Sequence, residues 1–106
     1  MQKIASIYKQ KLSKEDHTIL EYVPSKIGMF TVSICLKIEV DAEVKLSLVY
    51  FDSNKEQVIT LLNAKQESGI YSVNPIFLAP MTNKPISIIA SSNIDGVFVT
   101  ASIVKH

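Results

Sequence analysis

No arginine occurs in the 106 residues, so all 11 basic side chains other than histidine are lysines. Arginine is the side chain best shaped for bidentate contacts to phosphates and base edges. Its absence, with lysines scattered along the chain, argues against nucleic-acid binding. Tryptophan is also missing, which weakens any reading as a carbohydrate module built on flat indole platforms. A single cysteine, Cys35, excludes an internal disulfide, and no Cys/His spacing suggests zinc. The three glycines, Gly28, Gly69 and Gly96, form no phosphate-cradling loop. No apolar run approaches the roughly 20 residues that span a bilayer, so membrane insertion is not expected. Met1 to Lys9 lacks a continuous apolar region, so no secretory signal is read there, and a complete polypeptide made in the cytosol is expected. Ten acidic residues leave a net charge of +1, too small to steer a charged partner.

What the chain has in quantity is short apolar runs. Hydrophobic residues make up 47% and mean hydropathy is +0.23, with the excess in Ile, Val and Leu. Phe30 to Ile38 and Val44 to Tyr50 alternate apolar and polar residues. A period of two puts every second side chain on one side of a sheet, so both read as half-buried antiparallel strands. Val97 to Val104 is apolar on both faces. One domain, residues 1–106, is expected from the length, and it is large enough to bury a core without staples.

Turn signals divide the chain into about eight strands. Lys3 to Leu12 and His17 to Val23 flank the polar Ser13-Lys14-Glu15-Asp16, and Pro24 ends the second. Ile27 to Val40 follows, and Asp41-Ala42 turns into Glu43 to Phe51 as its hairpin partner. Asp52-Ser53-Asn54-Lys55 is a tight turn, since Asn tolerates positive φ. Glu56 to Asn63 is the next strand. Ile70 to Ala79 contains Pro75, so it is bent or lies on an edge. Ile86 to Ser91 and Val97 to Val104 complete the set around the turn at Asn93 to Gly96. No window carries a convincing period of 3.6; Val58 to Gln66 is the one place where a short helix could hide. The expected fold is all-β, an antiparallel jelly roll or β-sandwich of about eight strands. Its expected core includes Phe30, Val32, Ile34, Leu36, Leu46, Leu48, Tyr50, Val97, Val99 and Ile103.

No constellation supports catalysis, a cofactor or a metal. Cys35 lies on the polar face of its strand beside Ser33 and Lys37. His17 could reach it from a neighbouring strand, whereas His106 frays at the end. A lone cysteine more often packs as a small apolar group, here between subunits. Glu15-Asp16-His17 are sequence neighbours in a turn, and such neighbours point apart. Asp41 with Glu43, and Asp52 with Asn54, fall short of the six or so oxygens that calcium takes. No Gly-x-Ser-x-Gly or similar signature is present.

The surplus is apolar. Ile59 and Leu61 alternate with Val58, Thr60 and Leu62, and Phe98 and Val104 with Val97, Val99, Ala101 and Ile103. Only one face of each strand in a two-layer sandwich is core. Ile59, Leu61, Phe98 and Val104 are therefore expected at an interface between subunits, because exposed apolar patches mark contact sites and symmetric self-association is the commonest solution.

The last 75 residues or so resemble the jelly-roll modules of tailed-phage virion proteins: head fibres, decoration proteins and receptor-binding tips. The resemblance rests on Val44-Lys45-Leu46-Ser47-Leu48-Val49-Tyr50-Phe51-Asp52-Ser53-Asn54, then Ile59-Thr60-Leu61. It continues through Tyr71-Ser72-Val73-Asn74-Pro75-Ile76, Lys84-Pro85-Ile86-Ser87-Ile88 and Val97-Phe98-Val99-Thr100-Ala101-Ser102-Ile103. Asn54 stands where the family has Gly, and Lys84 where it has Thr. These are strand and turn positions, so no binding site carries over. The resemblance implies a non-enzymatic virion protein made in the host cytoplasm, in capsid or tail. It also implies a homo-oligomer, usually a trimer, that binds another virion protein or a host-surface glycan. The alternative is a free-standing carbohydrate- or ligand-binding β-sandwich.

Overall fold

A computed structural model describes residues 2–106. Eight strands fill the chain: β1 (Gln2–Lys11), β2 (His17–Tyr22), β3 (Phe30–Ile38), β4 (Ala42–Asp52), β5 (Lys55–Gln66), β6 (Gly69–Leu78), β7 (Ile86–Ser92) and β8 (Val97–Lys105). Among the described residues there is no helix. Val58 to Gln66, where a helix could have hidden, is the body of β5. Its three β-branched residues, Val58, Ile59 and Thr60, suit a pleated surface better than a helix turn.

The strands form two four-stranded antiparallel sheets, ordered β1-β8-β3-β6 (sheet I) and β2-β7-β4-β5 (sheet II). Consecutive strands alternate between the two layers everywhere except at β4–β5. This is the jelly roll expected from the spacing of the strands.

The expected hairpin between β3 and β4 is not formed, because the two strands lie in opposite sheets. Residues 39–41 carry the chain across the gap between layers. That crossing is pinned at both sides. The Glu39 N–H donates to Gly96 O at 2.9 Å, and Asn93 Oδ1 accepts the Glu43 N–H at 2.8 Å. Alternation does not distinguish the two arrangements, since paired strands and facing strands both show one apolar side.

The core is the seam between the inner faces. Val44, Leu46, Leu48, Ile86 and Ile88 of sheet II meet Phe30, Val32, Leu36, Val97, Val99 and Ile103 of sheet I, all essentially inaccessible to solvent. Full burial of a large aliphatic or aromatic side chain is worth roughly 1.5–3 kcal/mol. Nine of the ten expected core residues are buried; Tyr50 is half-buried and packs against the core from its margin. Pro75 falls in β6, an edge strand of sheet I, where its missing N–H costs no ladder bond. His106 does not fray: its N–H donates to Met29 O at 2.9 Å, and its ring contacts the Thr31 hydroxyl.

The β4–β5 turn has Ser53 at φ 52° and Asn54 at φ 63°. Two successive residues at positive φ define the type I′ turn, whose twist matches that of the flanking strands. Two stability measurements follow. Leu46→Ala should cost about 2–5 kcal/mol in denaturant unfolding, the range for buried leucines. Ser53→Val should cost about 1 kcal/mol, because a β-branched side chain fits the left-handed region worse than serine does.

Candidate functional site

The outer face of sheet I is built in rows that the strand register dictates. Ser6, Ser102 and Ser33 stand side by side across β1, β8 and β3, and Thr100, Cys35 and Ser72 across β8, β3 and β6. These side chains are all small. The flanking rows are large. One runs Lys3, Val104, Thr31, Phe77, and the other Lys11, Phe98, Lys37, Ile70. Two small rows between two large ones make a valley of about 460 Å³. At the usual strand spacing it crosses roughly 15 Å of sheet.

Tyr8 lines the valley at the β1 edge with 76% of its surface exposed, and Pro75 lines it at the β6 edge. Lys9 Nζ lies 5.3 Å from the Tyr8 ring centroid. The floor carries five hydroxyls and the Cys35 thiol, and Lys3 at the rim is the one charged side chain lining the valley. The Thr100 hydroxyl accepts the Lys9 N–H at 3.1 Å, where β1 kinks through a positive φ at Lys9. Hydroxyls both donate and accept, so this floor suits a ligand whose own surface is polar and uncharged.

Two other concavities differ in chemistry. A groove of about 470 Å³ at one end of sheet II mixes Lys14, Lys45 and Lys65 with Asp16 and Glu43, so its charges of opposite sign offset one another. A cleft of about 690 Å³ opens between the β5 and β6 edges and is mainly apolar, with Leu61, Leu62, Tyr71, Val73 and Ile76 on its walls.

The sequence candidates separate in space. Cys35 is on sheet I and His17 on sheet II, so the pairing considered between them is not made. Cys35 is half-buried in the valley floor. His17 Nδ1 instead lies 3.2 Å from Ser13 Oγ and 3.1 Å from Glu15 O, and Asp16 accepts the Ser91 hydroxyl. The Glu15-Asp16-His17 run therefore points in several directions. Among the described residues no group of three His, Cys, Asp or Glu side chains could hold a metal.

The four apolar residues expected at an interface divide in two. Phe98 and Val104 stand on the outer face of sheet I as the crests of the two ridges. Ile59 and Leu61 do not stand on an outer face; both are half-buried against the core. Ile59 faces inward because it pairs with the buried Leu48, and a bulge follows it. The register slips between Leu46↔Leu62 and Ser47↔Thr60, leaving Leu61 as the extra residue on β5. Leu62 thus shares the inner side with Ile59, and strict alternation fails across that point. The outward residues of β5 are Val58 and Thr60.

The hydroxyl floor was not among the sequence candidates. Its signal was present: the polar positions of β3 and β8 are Ser, Cys and Thr over their central turns, where solvent faces usually carry Lys and Glu.

The chain matches no protein-family model and no curated protein. Among solved structures it is similar to the N-terminal endo-1,4-beta-D-xylanase 10B of Clostridium thermocellum, described as CBM22-1–GH10 modules complexed with xylohexaose. The similarity has a TM-score of 0.48 and 16% identity over 96% of this chain, which spans 26% of that chain's length.

Proposed function

We propose that the chain is a recognition module without catalytic chemistry, and that the valley of sheet I holds a neutral glycan. The observation that carries this reading is the pair of hydroxyl rows lying between two taller rows in which apolar Val104, Phe77, Phe98 and Ile70 alternate with Thr31 and the lysines Lys3, Lys11 and Lys37. Sugar hydroxyls find donors and acceptors on Ser6, Ser33, Ser72, Thr100 and Ser102. The C–H faces of the rings find apolar cover on Phe98, Val104 and the exposed Tyr8, a residue with an apolar body and a polar tip.

Titration of 15N-labelled protein with a panel of neutral oligosaccharides tests this. Shifts should concentrate on the five hydroxyl-bearing residues of the floor. Ser33→Phe should abolish binding by filling the valley while the circular dichroism spectrum is unchanged. Tyr8→Ala should weaken binding about fivefold, corresponding to about 1 kcal/mol for one aromatic contact. No binding by any member of the panel, or shifts confined to another face, removes the proposal.

A second reading adds an assembly role. The resemblance to tailed-phage modules implies a virion component that meets host-surface glycans. The observation favouring it is the long edge of β5, uncharged from Gln57 to Ala64, which suits a protein built into a larger particle. Mass spectrometry of purified particles decides it by the presence or absence of this chain.

A further inference from the structure

Two sheets end in four edges, and three of them are guarded. β1 carries Lys3, Lys9 and Lys11, two breaks in register and a positive φ at Lys9. β2 is only six residues long and has a break of its own. β6 is interrupted by Pro75. Features of these kinds stop a foreign strand from adding to a sheet. β5 is the longest strand at 12 residues, contains no proline, and carries no charge from Gln57 to Ala64. Beside it the sandwich stands open, since the apolar cleft between the β5 and β6 edges exposes part of Leu61, Leu62, Tyr71, Val73 and Ile76.

We propose that β5 pairs antiparallel with β5 of a second copy about a twofold axis between Thr60 and Leu61. Sheet II then runs through both protomers as one eight-stranded sheet, and the two clefts close against each other. The strand is self-complementary in this register. Glu56 stands opposite the partner's Lys65, and by symmetry Lys65 stands opposite the partner's Glu56. Ile59 meets the partner's Leu62 on the inner side, and Val58 meets the partner's Asn63 on the outer side.

The bulge is what makes the faces agree. In an unbulged strand an axis between two residues pairs inner with outer positions; the extra residue at Leu61 restores the match. Moving the axis by half a residue along the strand mismatches the faces again. Moving it one whole residue toward the C-terminus sets Glu56 against the partner's Glu67. Moving it one toward the N-terminus leaves Glu56 facing the partner's uncharged Asn63. Opposite charges directly across an antiparallel pair favour a register, and like charges disfavour it.

Sedimentation equilibrium with charge exchange tests the register and the stoichiometry together. Glu56 and Lys65 are both exposed, and since Lys65 also stands across from Glu43 within the protomer, an unchanged circular dichroism spectrum is required of each variant. The wild-type chain should sediment as a dimer. Lys65→Glu places like charges at both ends of the contact and should raise the dimer Kd about tenfold. The double variant Glu56→Lys/Lys65→Glu should return it to the wild-type value. A wild-type chain that is monomeric at about 1 mM, the weak end of specific association, overturns the proposal. So does a trimer, and so does a double variant that associates no better than Lys65→Glu alone.

Discussion

Neither sheet has anywhere to bury its apolar face except against the other. Val44, Leu46 and Leu48 sit on the inner side of one sheet, and Phe30, Val32 and Leu36 on the inner side of the other. Each set would lose on the order of several kcal/mol if its sheet stood alone in water. The topology enforces this dependence. Six of the seven connections between consecutive strands cross from one layer to the other, and only β4–β5 stays within a sheet. The seam therefore decides which residues face out, and with them the shape of every surface the protein offers.

Much of this is legible from residue order because the seam imposes a period of two. The bounds of β4, β7 and β8 lie within one residue of those read from apolar runs and turn signals, β3 is shorter than the Ile27 to Val40 read for it, and Pro75 announces an edge. The partition of strands between sheets is not legible that way. Glu39, Val40 and Asp41 read equally well as a hairpin turn and as a crossing between layers, and only the long-range clip to Gly96 and Asn93 distinguishes them. The inner position of Leu62 is hidden for a related reason. One inserted residue reverses the alternation beyond it, and nothing in Val58-Ile59-Thr60-Leu61-Leu62 marks where the insertion lies. The valley escapes because it is made by neighbours from β1, β3, β6 and β8. Ser6 and Ser72 join Ser33, Thr100 and Ser102 only once the register is known.

The two proposed surfaces lie on different sheets and do not compete. The valley occupies the outer face of sheet I, whereas the β5 contact lies along an edge of sheet II. A twofold axis perpendicular to the sheets leaves both valleys of a pair opening in the same direction. If both proposals hold, two sites fixed in one plane would engage a surface of repeated glycans with an avidity beyond either alone. This gives the small floor side chains and the self-complementary edge a shared use.

The placement of β8 carries a consequence for biosynthesis. β8 is the last strand in the chain, yet in sheet I it is the middle partner of β1 and β3. While the polypeptide is still emerging from the ribosome, β1 and β3 wait without the neighbour that joins them. The β4–β5 hairpin, closed by its own two-residue turn, needs no such delay and forms on the microsecond scale of hairpins in general. Sheet I, which carries the valley, therefore cannot close until Val97 to Lys105 is in place between β1 and β3.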